Sequence, residues 1–564
     1  MILIIAEKPS VAGEIAKVVG ATTRGKGYLS GNDYIVSWCV GHLIELAKPS
    51  AYGEGLEKWS LDTLPIIPEN YITEVSSATA DQYAVLKELM SRADVSELVE
   101  ATDAGREGEL IFRLVYNQAG CKKPFKRLWI SSMEEKSIKE GLAGMKPGSA
   151  YDNLYEAALC RQRADWLVGI NLTRLYSKMY NKTLTCGRVQ TPTINLIVNR
   201  QRSIENFVPQ TYFTLTANCG SFKAYSRADD QAKAQQIVEK CSGKEAYVSK
   251  AEKEEKREKP AALYDLTTLQ RDANRLLGYS AQQTLDYLQK LYDNKLATYP
   301  RTDSRYITAD QEQSTRSLID TILATGIIST EVASNYSTEN VTMAQIINDK
   351  KVSDHHAVLP TSGVTKEKLD NLPTGERNIL LLVSYRLLSA VYAPHTYTAT
   401  KVVLDIEGEP FTATGREEID LGFKQIDDQV KKAVKAQEEK EDAPDTPENA
   451  VLPPMSDGNT FTAFEVKAEP KKTKPQPSYT EDTLLKAMET AGKSIVDEEL
   501  KDAMRDSGLG TPATRAGIIE NIVKAGYIVR NGKKLLPTET AYTFIDLVTD
   551  KIKEPELTAE WEKQ

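Results

Sequence analysis

Apolar and polar positions along the first 150 residues alternate in a way that predicts short strands separated by amphipathic helices. The stretch "ILIIA" is typical of a buried strand, and "SVAGEIAKVVG" is typical of a helix that ends at Gly20. The segments "YIVSWCVGHLIEL" and "ELVEATD" predict further strands, and "REGELIFRLVYNQAG" predicts a helix closed by a glycine. This alternation indicates a mainly parallel α/β domain.

The pattern changes several times along the rest of the chain. Residues 151–205 have a helical pattern, residues 206–262 contain short β-rich pieces, and residues 263–399 are again mostly helical. A second β-rich stretch over 400–474 includes the predicted hairpin "TATKVVLDIEGEPFTATG", and helices return over 475–564. We expect the two β-rich stretches to form halves of one domain that the chain enters twice.

Two helical segments share the same order of features. Both "GYSAQQTLDYLQKLYDNKLATYPRT" and "GTPATRAGIIENIVKAGYIVRNGKKLLPTE" begin with small residues, continue as an amphipathic helix, and end in a lysine-containing segment before proline and threonine. Each resembles the recognition helix and wing of a winged helix-turn-helix, although ordinary helix-turn patterns could produce the same likeness. Two such units predict a surface that meets nucleic acid twice.

Length and composition indicate a soluble multidomain protein. A chain of 564 residues is long enough for roughly three to five domains. No apolar run approaches the ~20 residues of a membrane span, and the opening "MILII" breaks at Ala6, so we expect neither an anchor nor a signal peptide. The six cysteines include no C-x-x-C pair, which argues against a zinc module or a disulfide framework and favours the cytoplasm.

The charge is distributed unevenly along the chain. The net charge of −9 does not favour a nucleic-acid binder if it is read as an average. Between Ala157 and Arg202, however, one acid, Asp165, stands against eight basic residues: Arg161, Arg163, Arg174, Lys178, Lys182, Arg188, Arg200 and Arg202. This basic segment predicts a contact with nucleic acid, and a solvated helix face is the alternative.

Two short motifs place acidic residues where predicted strands end. In "ATDAGREGELIF", Asp103 follows a strand, Gly105 lies in the turn and Glu107 begins a helix, so the two carboxylates could hold Mg²⁺. In "IIAEKPS", Glu7 and Lys8 follow the first strand. Crowding by the other acids would raise the pKa of Glu7 and suit it as a general acid, while Lys8 neutralises a phosphate. The alternatives are an ordinary glycine-rich turn and a surface Glu-Lys pair.

The stretch "KLATYPRTDSRYI" contains a candidate nucleophile. Most tyrosines are structural, and Tyr299 needs help because the ordinary tyrosine pKa of about 10 leaves roughly one phenolate in a thousand at pH 7. Arg301 and another nearby cation can lower that pKa, and Pro300 fixes the backbone between the two side chains. Attack on a phosphodiester would give a phosphotyrosine ester of similar energy, so resealing the strand needs no ATP.

These motifs occur in the order and spacing of a known family. "IIAEKPS", "DAGREGE", "RADWLVGINLTRLYS", "GRVQTPT", "YPRTDSRY", "DHHAVLPT", "YTEDTLLKAME" and "GLGTPATRAGIIE" resemble those of type IA DNA topoisomerases, most of them the bacterial topoisomerase III branch. The resemblance spans nearly the whole chain. It implies an ATP-independent isomerase that cleaves one DNA strand through a 5′-phosphotyrosine intermediate, passes a strand through the break and religates it, relaxing negative supercoils or decatenating DNA.

The resemblance also implies a multidomain α/β plus α+β architecture in which a Toprim domain is part of a four-domain torus. The helical domains are winged-helix-like, or CAP-like, and a split β-rich arch joins them. The implied domains are a Toprim α/β domain at 1–150, a helical base with a single-strand groove at 151–205 and 475–564, a β-rich arch and hinge at 206–262 and 400–474, and a cap with the active tyrosine at 263–399.

The matching motif positions imply the site residues. The implied catalytic residues are Tyr299 as nucleophile, Arg301 as stabiliser of the cleavage state, Glu7 as general acid, Lys8 as phosphate contact and His355 as a histidine linked to the site. We interpret the neighbouring His356 as structural.

Metal and DNA contacts follow from the same resemblance. Asp103 and Glu107 are the implied Mg²⁺ ligands, assisted by Glu7 when it is deprotonated. The family carries a third acid where this chain has Gly105, so the metal site has one ligand fewer. The implied contacts to single-stranded DNA are Arg161, Asp165, Arg188, Gln190, Thr511 and Arg515.

The implied partners are single-stranded DNA and negatively supercoiled or catenated duplex DNA, together with a RecQ-type helicase and a single-strand binding protein. We expect a monomer in the bacterial cytoplasm, associated with the nucleoid and not with a membrane. The absence of zinc fingers fits topoisomerase III, and the uncapped helical ending "LTAEWEKQ" predicts that the natural chain continues.

Two functions of other classes stay open on the residues alone. One is a Toprim nuclease or primase, whose metal site would act through water or a nucleotide. The other is a non-catalytic module that binds and remodels single-stranded DNA, such as an accessory protein of plasmid transfer. Neither requires a Tyr-Pro-Arg motif in a separate domain, and this motif therefore favours the topoisomerase.

Overall fold

A computed structural model describes five stretches of the chain. These are residues 1–130, 135–352, 355–434, 452–504 and 508–563. No helix within these stretches is both long and apolar enough to cross a membrane.

The N-terminal domain is built on a seven-stranded sheet with the strand order β2-β3-β4-β1-β7-β8-β9. A separate antiparallel pair, β5 and β6, lies beside it. The elements in chain order are β1 (Ile2–Ala6), α1 (Pro9–Val19), β2 (Thr23–Gly25), β3 (Tyr28–Gly31), β4 (Tyr34–Trp38), β5 (Ile44–Leu46), β6 (Thr73–Val75), α2 (Ala80–Ser91), β7 (Glu97–Ala101), α3 (Arg106–Gln118), β8 (Phe125–Arg127), α4 (Glu135–Ala143) and β9 (Lys146–Pro147).

Strand β1 lies at the centre of this domain because both of its faces are apolar. Leu3 and Ile5 point to a core shared with α2 and α3, whereas Ile4 and Ala6 point to a core shared with α1 and α4. Strand β1 runs parallel to both β4 and β7, with Ile2 opposite Glu97 at the start of β7. The carboxyl ends of β1 and β7 therefore lie side by side at one edge of the sheet.

The single strand predicted over "YIVSWCVGHLIEL" is wrong, because the structure divides it into β4 and β5. Gly41 between them has a φ of +84°, in the left-handed region. The chain turns there instead of continuing the strand.

The remaining elements alternate between helical and β-rich regions. In chain order they are α5 (Asp152–Met179), α6 (Gln190–Glu205), β10 (Thr211–Asn218), β11 (Lys223–Ala228), α7 (Gln231–Cys241), β12 (Lys244–Glu258), α8 (Leu266–Leu277), α9 (Ala281–Asp293), α10 (Glu312–Ala324), α11 (Thr330–Asn335), α12 (Lys366–Asn371), α13 (Thr374–Ala390), β13 (His395–Ile406), β14 (Glu409–Asp420), α14 (Lys424–Ala433), β15 (Thr460–Ala463), β16 (Glu465–Lys472), α15 (Glu481–Glu489), α16 (Glu498–Ala503), α17 (Pro512–Lys524), β17 (Ile528–Asn531), β18 (Lys534–Pro537), α18 (Glu539–Leu547), α19 (Asp550–Lys553) and α20 (Glu556–Lys563).

The two β-rich stretches form one sheet, which we call the arch. Its seven strands have the order β15-β12-β13-β14-β11-β10-β16, and every pair is antiparallel. Strand β13 starts at His395, opposite Glu258, ahead of the expected domain boundary at residue 400. Helix α14 falls in the expected arch range, yet its Ile426 packs in the same core as α13, because its apolar face meets that helix.

Two further cores belong to what we call the cap and the base. The cap core is built from α8 to α13 together with α14. The base core joins α5 and α6 to the segment from Tyr479 to Ala559, so the two chain stretches fold as one unit. Helix α17 is followed by the hairpin β17–β18, as the wing pattern predicted. After α9 the described chain forms isolated bridges, Ala297 to Pro360 and Ile307 to Ile347, and the expected second wing is therefore not a hairpin.

A fully buried arginine ties the N-terminal sheet to the turn that follows β7. Arg127 Nε donates to Glu109 Oε1 at 2.8 Å, while its two Nη atoms donate to the carbonyls of Thr102 and Asp103 at 2.7 and 2.6 Å. Burial raises the pKa of the adjacent Glu100, which favours its neutral form. Glu109, rather than Glu100, therefore supplies the negative charge that balances the Arg127 guanidinium. Arg127 in turn fixes the backbone that carries Asp103.

We predict that Arg127→Met destabilises the protein by about 3 kcal/mol, because the buried Glu109 carboxylate loses its closest partner and keeps only the 3.3 Å ion pair with Arg113. Lys126→Met is the matched control on the same strand. Lys126 pairs with Glu97 at the surface, so its loss should change stability by less than about 1 kcal/mol. Urea unfolding followed by circular dichroism measures both variants. Equal shifts of the midpoint would show that the buried pair has no special role.

Candidate active site

The ends of β1 and β7 supply the first part of the site. Glu7 and Lys8 follow β1, and Asp103 follows β7, so the parallel register brings them together. The backbone amide of Asp103 donates to Glu7 Oε2 at 3.2 Å. Lys8 is the N-cap residue of α1, and Pro9 opens the helix, which leaves the Lys8 side chain free to reach into the cleft.

The cap supplies the second part of the site. Lys8 Nζ donates to Tyr299 Oη at 2.6 Å and to Asp103 Oδ2 at 2.7 Å, and it lies 3.1 Å from Glu7 Oε1. Since Tyr299 lies 291 positions away along the chain, this contact exists only when the cap is docked on the N-terminal domain. One ammonium group therefore joins two carboxylates and the candidate nucleophile.

Aromatic neighbours hold the Tyr299 ring in place. The His355 ring lies 4.1 Å from it, centroid to centroid, and Tyr292 meets it edge-on at 5.6 Å. Tyr292 in turn contacts Ser10 of α1 through a 3.1 Å hydrogen bond between the two hydroxyls. His355 Nε2 lies 3.6 Å from Asp103 Oδ2, too far for a hydrogen bond, and this buried nitrogen has no hydrogen-bond partner among the described residues.

Burial and charge together set the protonation of this cluster. Burial raises the pKa of Tyr299, and the opposing effect of Lys8 is smaller, so the tyrosine is a neutral phenol before DNA arrives. Burial disfavours the charged form of Lys8, but Asp103 and Glu7 outweigh it and raise the pKa of Lys8. His355 and Lys8 likewise outweigh burial at Asp103 and hold its pKa well below the usual range.

Glu7 is the exception among the acidic residues. Burial, followed by the charge of Asp103, raises the pKa of Glu7 despite the nearby Lys8. The expected direction is therefore found, but its main cause is burial rather than crowding by two carboxylates. Glu107 does not contribute to the shift.

Two predicted site residues lie apart from this cluster. Arg301 is exposed and forms no hydrogen bond or ion pair with a described residue. Lys8 is instead the cation that partly offsets the burial-raised pKa of Tyr299. Glu107 is bound to His42 through a 2.6 Å contact between Oε1 and Nε2, and 63% of its side chain is exposed. The bond to His42 lowers the pKa of Glu107.

The predicted metal ligands are only partly assembled. Asp103 and Glu107 offer the hard oxygen atoms that suit a divalent cation, although Lys8 and His42 now occupy them. Within the described stretches, no three acidic, histidine or cysteine side chains are grouped to hold a metal ion. Glu7 does not complete such a set, because both of its oxygens are already engaged. The donor set fits a cation held by two carboxylates and water.

Gly105 has an extended backbone, with φ −172° and ψ 173°, at the N-cap position of α3. Any residue can adopt this conformation. The glycine is therefore not required by the backbone of the turn.

The predicted DNA contacts of the base include a buried charge cluster. Arg188 binds Asp165 with two hydrogen bonds of 3.0 and 3.2 Å. Both Arg188 and Arg161 approach Glu562 of α20, which the sequence did not single out. Gln190 donates to Thr185 Oγ1 at 2.8 Å.

The other two predicted DNA contacts serve structural roles here. Thr511 is the N-cap of α17 and forms a capping box with Thr514. Arg515 is 2% exposed, and its Nη1 donates to Thr267 Oγ1 of α8 at 3.0 Å. Arg515 thus joins the base to the cap, and its side chain is not open to a DNA strand in this arrangement. His356 has a structural contact as well, since its ring bonds to the carbonyl of Ala357.

Comparisons with known proteins agree with this arrangement. A family model described as DNA topoisomerase matches residues 149–564, and a Toprim domain model matches residues 2–133. DNA topoisomerase 3 of Bacillus subtilis (strain 168) is 38% identical over 575 residues, which cover 100% of this chain and 77% of that protein. DNA topoisomerase 3 of Bacillus anthracis gives the same identity and coverage over 576 residues.

A solved structure shares the fold along the whole chain. Full-length topoisomerase I from Thermotoga maritima superposes with a TM-score of 0.69 at 25% sequence identity, covering 100% of this chain and 85% of that one. Fold and comparisons together define a DNA-cleaving enzyme that contains a Toprim domain. The chain belongs to the DNA topoisomerase family, in its type IA class. Such an enzyme cleaves a strand, passes another through the break and religates it without ATP, and Toprim domains of topoisomerases bind a divalent metal ion.

Proposed function

We propose that Tyr299 is the nucleophile of this topoisomerase and that Lys8 prepares it for attack. The observation that carries the proposal is the 2.6 Å hydrogen bond from Lys8 Nζ to Tyr299 Oη, made between the Toprim domain and the cap. A buried phenol needs a nearby positive charge to become an anion, and Lys8 is the cation that opposes the effect of burial on the pKa of Tyr299.

The proposed reaction exchanges one phosphoester for another. Tyr299 Oη attacks the phosphorus, a bond forms between them, and the bond from phosphorus to the 3′ oxygen breaks. The phenol proton passes to solvent, and Glu7 gives its proton to the leaving 3′ oxygen. The raised pKa of Glu7 keeps that proton available. Religation is the reverse reaction, so the ester energy is conserved.

The neighbours of Tyr299 have proposed roles in positioning. Asp103 holds the Lys8 ammonium in the cleft, where it can neutralise a backbone phosphate. His355 packs on the tyrosine ring and limits its rotation. Arg301 follows two residues later and is exposed, and we propose that it binds the phosphate under attack.

We assign the divalent ion of the Toprim domain as Mg²⁺, held by Asp103 and Glu107 with water as the remaining ligands. When bound, it would supply positive charge for the phosphates beside the cleavage point. Glu107 would have to leave His42 to take part.

The proposed substrate is a single strand of DNA in negatively supercoiled or catenated duplex. We propose that Arg161, Arg188 and Gln190 of the base line the path of this strand, which the basic segment 157–202 makes electropositive. Strand passage requires the cap to lift from the Toprim domain and the base. A RecQ-type helicase and a single-strand binding protein stay predicted partners.

We predict that Tyr299→Phe binds a single-stranded oligonucleotide as wild type does but forms no covalent adduct. The substitution removes only the attacking oxygen, and Lys8 keeps its bonds to Asp103 and Glu7. A denaturing gel that retains the protein-DNA adduct measures the result. Tyr306→Phe, in the same motif, is the control and should form adduct normally. A covalent adduct formed by Tyr299→Phe would show that another residue is the nucleophile. If wild type itself formed no covalent adduct, a nuclease or a binding module would be favoured instead.

We predict that Gly105→Asp binds Mg²⁺ several-fold more tightly and lowers the Mg²⁺ concentration needed for relaxation. The extended backbone accepts aspartate, and a third carboxylate then faces the turn between Asp103 and Glu107. Gly105→Asn is the matched control, because asparagine suits the same N-cap position without adding charge. Calorimetric titration of Mg²⁺ without DNA, followed by relaxation assays, compares the variants.

Glu107→Gln tests the same metal site by removing a carboxylate instead of adding one. It should lose Mg²⁺ binding and most Mg²⁺-dependent relaxation, whereas cleavage of an oligonucleotide should survive better, since Tyr299 and Lys8 remain. Titrations that match wild type for both Glu107→Gln and Gly105→Asp would show that the motif is only a structural turn.

A further inference from the structure

Three arginines converge on one carboxylate where the Toprim domain meets the base. Arg106 Nη2 lies 2.8 Å from Glu562 Oε2, and Arg161 Nη2 and Arg188 Nη1 lie 3.5 and 3.6 Å from Glu562 Oε1. Arg106 begins α3, Arg161 lies in α5, and Glu562 lies near the end of α20. Arg106 and Glu562 have no role in the active site described above. We call these four side chains the arginine cluster.

Glu562 is a buried, charged carboxylate. Its side chain is 7% exposed, and burial alone would raise its pKa. Arg161, Arg106 and Arg188 outweigh burial and lower the pKa of Glu562. The cluster thus requires an anion at its centre, because three guanidinium groups would otherwise repel one another.

The bonds at this centre are incompletely formed. Only Arg106 lies within hydrogen-bond distance of Glu562, since contacts of 3.5 and 3.6 Å are ion pairs without a proper hydrogen bond. Arg188 is 2% exposed at its side chain, and its Nη1 has no hydrogen-bond partner among the described residues. A buried donor without an acceptor is unfavourable. An anion able to approach Arg161 and Arg188 more closely than the Glu562 carboxylate does would satisfy the cluster better.

A DNA backbone phosphate has that chemistry. Its unesterified oxygens accept charge-assisted bonds from guanidinium groups, and two arginines can share one phosphate. The position also suits a strand that leads to the active site. Arg106 immediately precedes Glu107 and follows Asp103 by three residues, and Arg161 and Arg188 belong to the basic segment of the base.

We infer that Arg106, Arg161 and Arg188 form a binding site for a backbone phosphate of single-stranded DNA, and that Glu562 holds this site until the phosphate displaces it. The inference rests on the proposed function, because it requires the strand to enter along the base. Glu562 thereby keeps the three arginines in position without DNA and competes with the strand. Helix α20 thereby opposes DNA binding until the strand displaces Glu562.

The first test compares Glu562→Gln with wild type for affinity to a fluorescein-labelled oligothymidylate, measured by fluorescence anisotropy. Removing the competing charge should tighten binding about tenfold, the scale of one charge-assisted hydrogen bond. Glu560→Gln is the matched control on the same helix. Glu560 pairs with Lys551 at the surface, so its loss should change affinity by less than about twofold.

A second pair of variants separates the site from general electrostatics. Arg106→Ala should weaken oligonucleotide binding more in the Glu562→Gln background than in wild type, because only there is Arg106 free to bind phosphate. Equal effects in both backgrounds would overturn the inference. So would Glu562→Gln binding that is no tighter than that of Glu560→Gln, since Glu562 would then be a structural anchor.

Trp561 provides a measurement that does not depend on substitution of Glu562. Arg188 lies over its ring at 5.3 Å. Displacement of Glu562 by DNA should alter the Trp561 fluorescence, obtained as wild type minus Trp561→Phe during titration with the oligonucleotide. A constant Trp561 signal at saturating DNA would contradict the inference but leave the proposed function intact. Failure of wild type to bind the oligonucleotide would overturn both.

Discussion

The ammonium group of Lys8 is the contact on which the active site depends, because it is shared between groups that would otherwise be incompatible. Asp103 is charged in a buried cleft, Glu7 is crowded against it, and Tyr299 arrives from another domain as a neutral phenol. Lys8 reaches all three within 3.1 Å. Its charge lowers the pKa of both acids and gives the tyrosine its positive neighbour. A shared cation thus couples the chemistry to the docking of the cap.

Because the cap must both dock and lift, its interface with the base has to be able to open. The cap and the base each have their own apolar core, although Ala281 at the start of α9 packs into the core of the base. Polar contacts also join the two. Arg271 pairs with Asp482 at 2.7 Å, and the amide of Ala281 donates to Glu481 at 2.6 Å. Water can replace such bonds when the cap lifts, and a partly exposed ion pair is typically worth less than about 1 kcal/mol. The fold therefore combines stable domains with an interface that can open.

Much of the site could be predicted from the sequence because it follows from local pattern. Buried parallel strands place Glu7 and Asp103 at one edge of a sheet, whereas the tyrosine motif was singled out by the resemblance to a known family and not by its composition alone. Contacts between domains could not be predicted this way. Nothing local pairs Lys8 with Tyr299 or Arg106 with Glu562, since each pair depends on how separate domains dock. The burial of Arg515 could not be predicted either: the family resemblance implied a DNA contact there, and its side chain lies between base and cap in this arrangement.

A reducible cross-link between cap and base tests most directly whether docking and opening of the cap govern the reaction. Arg275 and Lys533 suit a reducible thiol-reactive linker about as long as a lysine side chain, because Lys533 Nζ donates to the Arg275 carbonyl at 2.8 Å on the exposed side of the interface. The cysteines Arg275→Cys and Lys533→Cys would be placed in a Cys160→Ser background, since Cys160 is exposed and the other cysteines are buried. The account predicts that the cross-linked protein still forms covalent adduct with a short oligonucleotide but does not relax supercoiled DNA until the link is reduced. Unchanged relaxation by the cross-linked protein would contradict it.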